Sequence, residues 1–284
     1  MFRFTKKSFF IYYYNAMAIL GVAFLVLVFV QMVLGSLPIF VSDSLTTVWG
    51  SNWNPYEDSY GLRPMIFATV VMALTSTAFA VVFGILISYS VVVALPSNLA
   101  KIQASVLELM SGIPSVVFGF WGLITVAPLL QKIESPGLSI LLGTFILLLM
   151  ILPTMTLLSI SILENFYKEN QASADALNIS PASFFIRVFL PARRSKLASA
   201  GILSMARAIG ETMAVLMVCG NIIQVPDSIF SPVRALTANI ALEMAYALDD
   251  HRSALYLSGL VILIIVSLLL VFSLPVMRDK DAYS

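Results

Sequence analysis

An all-α, polytopic membrane helical bundle of about six transmembrane helices is the fold class this sequence predicts, on three observations. Hydrophobic residues make up 60% of the 284 and charged residues 11%, with a mean hydropathy of +0.96. Soluble domains carry roughly 25% charged residues, so this chain has too little polar surface to coat a water-soluble globule. Second, long intervals are free of charge, from Ser8 to Ser42 and from Pro64 to Ala100. Third, the basic residues segregate. Arg3, Lys6, Lys7, Lys101, Lys168, Arg187, Arg193, Arg194, Lys196, Arg278 and Lys280 fall on one side of the implied topology, and Arg63, Lys132, Arg234 and Arg252 on the other. The positive-inside rule makes the first side cytoplasmic, with both termini there.

Taken in order, residues 1–14 are expected to form a cytoplasmic segment and residues 15–37 a retained first span, because the apolar run exceeds a signal-peptide core. Residues 38–64 carry Trp49, Trp53, Tyr56 and Tyr60 and suit an outer interfacial loop. The core, 66–277, holds five further spans: 66–95, 102–130, 138–163, 197–221 and 254–277. Pro136-Gly137 marks the turn before the fourth span, and residues 278–284 form a charged cytoplasmic tail.

The interval from Phe166 to Lys196 is polar and charged and cannot lie in lipid. It predicts a helix, a turn and a second helix at the cytoplasmic surface. Ala172, Ser173, Ala174, Asp175 and Ala176 form a helical run, and Asn178 can take the left-handed conformation where that run stops. Ser180 has the chemistry of an N-cap, with Pro181 at the first helical position, where a missing N–H costs nothing. Phe184, Phe185, Val188 and Phe189 supply an apolar face, and Leu190-Pro191 is expected to end the helix.

Several chemistries are disfavoured. A net charge of +1 argues against nucleic-acid binding. One cysteine, Cys219, excludes an intrachain disulfide, and one histidine, His251, excludes a histidine-rich metal site. No P-loop occurs, so phosphates of a nucleotide cannot be cradled by that route, and no Ser-His-Asp set is available. No catalytic or metal-ligating residue is assigned, and any energy source belongs to another chain.

Three groups of residues could carry function. In the second span Thr69, Ala73, Ser76, Ala80, Gly84 and Ser88 recur at three- and four-residue steps, a stripe that favours close helix packing. In the third span Glu108, Ser111 and Ser115 share one face with Gly119, and Gly112 and Pro114 predict a kink near Ser111. In the fifth span Arg207 and Glu211 are four residues apart and share a helical face, near the bilayer midplane. A charge there costs roughly 2.5–3.5 kcal/mol on insertion scales. Two readings stand: a self-neutralised Arg207–Glu211 pair holding helices together, or Arg207 attracting a passing anion while Glu211 weakens its grip.

The loop resembles the EAA loop of ABC-importer permeases, Glu-Ala-Ala-x-x-x-Gly followed further on by Ile-x-Leu-Pro. Aligned on Leu190-Pro191, Val188 falls on the Ile, Asn178 on the Gly, and Ala172, Ser173 and Ala174 on Glu-Ala-Ala, so the acid and the glycine are both replaced. Residues 108–123, Glu-Leu-Met-Ser-Gly-Ile-Pro-Ser-Val-Val-Phe-Gly-Phe-Trp-Gly-Leu, and 207–215, Arg-Ala-Ile-Gly-Glu-Thr-Met-Ala-Val, are similar to segments of the PstC family of phosphate ABC-importer permeases. That resemblance implies the type I ABC importer fold in a bacterial cytoplasmic membrane. It implies a PstA-like second permease and two copies of a PstB-like ATPase, which would bind ATP and Mg²⁺ and dock on the loop; this chain would hold no cofactor itself. It also implies a PstS-like phosphate-binding protein outside. A permease for another oxyanion on the same scaffold, and a standalone ion-coupled anion carrier or channel, are the competing readings.

Overall fold

The computed structural model describes residues 6–41 and 48–278; Arg3, Lys280 and the rest of 1–5 and 279–284 lie outside the described residues. Helix α1, Lys6–Val41, turns most of its apolar side chains outward, as lipid contact requires. Its seam is with α11, Asp249–Arg278. There a Cβ on Gly35 would stand 2.5 Å from the Tyr256 ring, and one on Gly259 would stand 3.1 Å from Met32 Sδ. A two-stranded hairpin, β1 Trp53–Asn54 and β2 Ser59–Tyr60, closes one end of the bundle.

Helix α2, Arg63–Tyr89, widens into a π-helical turn at Ser90–Ala94. It packs along α6, Ile140–Ala176, and this pair forms the centre of the core with Met72, Leu147, Ile151 and Met155. The small-residue stripe on α2 is buried along its whole length, Thr69 through Ser88. A Cβ on Gly84 would lie 3.0 Å from Met155 Cγ, so the stripe seats one helix on another and does not line a pore. At 37 residues, α6 is about 55 Å long at ~1.5 Å per residue. It therefore outruns a hydrocarbon core of ~30 Å and carries the chain well beyond it.

The third expected span is two helices. α3, Ser97–Gly112, meets α4, Ser115–Trp121, which continues through a π-turn at Gly122–Val126 into α5, Ala127–Gln131. The axis turns by 94° at the break, a re-orientation rather than the expected kink. Ile113 is extended because the residue before a proline is pushed out of the α region, and Pro114 has no N–H to offer. Consequently Glu108 and Ser111 do not share one continuous face with Ser115 and Gly119.

After α6 comes a single turn, α7 Pro181–Ser183, a π-helical stretch Phe184–Phe189, and α8, Leu190–Ile209. Leu190-Pro191 does not end the helix. The Leu190 N–H reaches back to the Phe185 carbonyl, and this wider π spacing accommodates the proline that an α-helix would not. The expected fifth span is likewise divided. α8 stops at Ile209, and α9, Met213–Val218, follows a break at Gly210–Thr212. The chain then returns through α10, Leu236–Glu243, to α11. Among the described residues, four helices are long and apolar enough to cross a membrane, or five if the bent pair is one span.

Candidate functional site: a broken helix and its loop

Arg207 lies two residues before the end of α8 and is exposed. Its Nη1 donates to Thr154 Oγ1 on α6 at 3.3 Å. Of the two readings of Arg207 and Glu211, the self-neutralised pair has no counterpart in the structure: no ion pair joins them among the described residues. The Gly210–Thr212 break removes the four-residue relationship on which it rested. Glu211 serves the next helix instead: its Oε1 accepts from the Ala214 N–H at 3.1 Å, and its carbonyl accepts from Thr237 Oγ1 on α10 at 2.6 Å. A carboxylate on a free N–H of a helix's first turn is favourable both as a cap and against the helix dipole.

The two breaks are brought together by packing. A Cβ on Gly119 would lie 2.8 Å from Ala214 Cα, so α4 sits directly against α9, the helix that Glu211 caps. Ser115 opens α4 and is half-buried, whereas Glu108 is exposed. Ser111 donates to the Glu108 carbonyl at 2.7 Å. An open concavity lies at the 94° turn, lined by Ser105, Glu108, Gly112 and Pro114. Glu108 and Arg207 share no hydrogen bond or ion pair among the described residues.

At the far end of α6, the loop folds as the residue types require. Asn178 takes φ +51°, the Ile179 N–H closes onto the Ala174 carbonyl at 3.0 Å, and Ser180 Oγ caps the next turn by accepting from the Ser183 N–H at 3.3 Å. Phe184 and Phe189 are buried against Phe166, and Phe185 is buried between Tyr89 and Phe189. Arg193 stacks over the Phe166 ring at 4.9 Å and donates to Glu169 Oε2 at 3.1 Å, pinning the loop to α6. Ala172, Ser173, Asp175, Asn178, Ser180, Pro181 and Pro191 are exposed and Leu190 is half-buried. Ala174 is only 8% exposed; its methyl packs inward and presents no surface to a partner.

Sequence reasoning missed three features. Thr154 partners Arg207 across helices, and nothing in the spacing marks it. Leu177 and Ile186 project from the loop, 72% and 61% exposed, on a surface otherwise of small and polar residues. At the hairpin end, the buried Glu243 carboxylate accepts from Trp53 Nε1 at 2.8 Å and Arg234 Nη1 at 2.6 Å, and lies 2.9 Å from His251 Nε2. This carboxylate ties the hairpin, α10 and α11 together. Beside it, burial and then the hydrogen bond to Asp58 push the Tyr60 phenol up to about 12, so it stays a neutral donor.

Broken helices thus meet near the exposed Arg207, and an amphipathic helical loop lies at one end of the bundle. Residues 80–279 match the family model described as binding-protein-dependent transport system inner membrane component, and the chain belongs to that family. It is 35% identical over 219 residues to a probable ABC transporter permease protein, YqgH, of Bacillus subtilis, covering 75% of this chain and 71% of that one. It is also 28% identical over 290 residues to the phosphate transport system permease protein PstC of Mesorhizobium japonicum, covering 94% and 89%. Among solved structures it resembles the MetNI methionine ABC transporter in inward-facing conformations. The TM-score is 0.62 at 15% identity, over 80% of this chain and 98% of that chain, a likeness of fold.

Proposed function

We propose that this chain is the PstC-type permease subunit of an ATP-driven inorganic phosphate importer, forming half of the translocation channel. The observation that carries the reading is Arg207. Its exposed guanidinium has a threonine hydroxyl for a partner and, among the described residues, no carboxylate, in a chain similar nearly end to end to a phosphate transport permease. A charge at membrane depth is retained only where it is paired or wetted. Arg207 therefore draws a tetrahedral anion into a hydrated gap. Glu211, with its carboxylate engaged by α9, keeps negative charge close enough to limit how long the anion stays. Ser111, Ser115 and Glu108 flank the route at the turn between α3 and α4.

No covalent chemistry is involved. A PstA-like permease completes the channel in the bacterial cytoplasmic membrane, and a PstS-like protein delivers phosphate from outside. Two PstB-like ATPases bind ATP and Mg²⁺ on the cytoplasmic side, where both termini lie. Work enters through the loop from Ala172 to Pro191. Ala172, Ser173, Asp175, Asn178, Ser180 and Pro181 form its surface, Leu177 and Ile186 its apolar contacts, and Ala174, Leu190 and Pro191 its frame. Reconstitution tests this directly: phosphate should enter liposomes only when ATPase, second permease and binding protein are all present. Accumulation by this chain alone would overturn the reading.

A further inference from the structure

The α6–α8 pair carries a second charged place that the Arg207 site does not account for. The two helices run antiparallel and are bonded across twice, Arg207 to Thr154 at 3.3 Å and Arg193 to Glu169 at 3.1 Å. Between these rungs, toward the loop, lies a cavity of about 210 Å³ lined in part by Ser161, Asn165, Glu169, Arg193 and Lys196. At roughly 100° per residue, positions seven and eleven apart return to nearly the same face. On α6 this aligns Ser161 and Asn165 with Thr154, and on α8 it aligns Lys196 with Arg207. Lys196 stands about 16 Å along the helix from Arg207 at ~1.5 Å per residue.

The occupancy of these groups separates them. Arg193 is committed to Glu169 and to the Phe166 ring. Lys196, Ser161 and Asn165 are exposed, and among the described residues none makes a side-chain hydrogen bond or ion pair. One free positive charge and two neutral donor groups thus converge on a cavity with room for roughly seven waters at ~30 Å³ each. An anion fits there with part of its hydration shell.

We propose that Lys196, Ser161 and Asn165 form an inner station for a phosphate-type oxyanion, either the free ion leaving Arg207 or the headgroup of a lipid. The proposal rests on the reading of Arg207 as the upper contact. The two cations and Glu169 leave the cavity at a net charge of +1, so it attracts without trapping. Passage between two weak sites on one helix pair is how a charged solute is both admitted and released.

The test uses Ser161→Cys, a near-isosteric change at an exposed position. The full chain is co-expressed with its partners and placed in phosphatidylcholine nanodiscs. Buried Cys219 should not react in the parent protein. Inorganic phosphate at constant ionic strength should slow N-ethylmaleimide alkylation several-fold where chloride does not. Lys196→Gln should abolish that protection and Lys196→Arg should keep it. Arg207→Gln should also keep it, while phosphate uptake by the Arg207→Gln transporter in proteoliposomes reports separately on the upper site. Protection that appears only with phosphatidylglycerol, and only with Lys196 present, assigns the station to a lipid headgroup. Alkylation indifferent to both probes, or protection surviving in Lys196→Gln, overturns the station. Loss of protection in Arg207→Gln overturns it as a separate site.

Discussion

Arg207 and Glu211, four residues apart, are held by different parts of the molecule. The guanidinium donates to Thr154 on α6, while the Glu211 carboxylate caps α9 and its carbonyl is held by Thr237 on α10. The break between them gives each charge a separate task, one toward the route and one toward the helix that follows.

Glu211 should therefore behave as a cap with a charge. Glu211→Gln retains an acceptor for the Ala214 N–H and should assemble normally, with phosphate held longer and turnover slowed. Glu211→Ala loses the acceptor and should lower stability by about 1 kcal/mol, the usual worth of a cap. Thermal denaturation of the purified complex separates the two variants. Equal melting temperatures would remove the capping role.

Close packing at Gly119 makes a second prediction. Gly119→Val must push α4 away from the Ala214 backbone, which has no flexible side-chain end to yield. A cost of about 1–3 kcal/mol is expected for such overpacking, read as a lower melting temperature and poorer recovery of the complex. A variant as stable as its parent would show that α4 is not seated on α9.

How much of this was legible in the sequence differs by feature. The loop could be read because its determinants are local: Asn178, Ser180 and Pro181 act on their own backbone, and the phenylalanines repeat at helical steps. The packing role of the stripe from Thr69 to Ser88 was equally plain. Pro114 announced a break, yet its 94° angle is set by what α4 packs against. The Gly210–Thr212 break was hidden because no proline marks it, and Gly210, Glu211 and Thr212 are each compatible with an uninterrupted helix. The projection of Leu177 and Ile186, the burial of Ala174 and the Thr154–Arg207 contact depend on which helix lies opposite, and spacing along one chain does not contain that.

Glu243 is a buried carboxylate with three polar neighbours, so removing it strands others. Glu243→Ala leaves Arg234 without its ion pair and Trp53 without its acceptor. A loss of about 3–5 kcal/mol is expected for breaking a buried pair, with Trp fluorescence shifted as the hairpin loosens. Glu243→Gln keeps the hydrogen-bond geometry and should lose less. Identical behaviour of the two variants would mean that the cluster does not hold the hairpin end together.

On the loop, exposure decides which substitutions report on docking. Leu177→Asp changes an exposed contact and leaves the phenylalanine cluster intact, so the chain should insert and assemble with its sister permease but retain the ATPase poorly. Ala174→Asp would instead disturb buried packing. Full ATPase co-purification with Leu177→Asp would place the docking surface elsewhere.

The most direct measurement is uptake of radiolabelled phosphate by proteoliposomes that contain the complete transporter with Arg207→Gln, with subunit recovery checked in the same preparation. The account predicts a fully assembled complex that accumulates phosphate no faster than empty liposomes, and partial recovery with Arg207→Lys. Uptake at the parental rate by Arg207→Gln would contradict it.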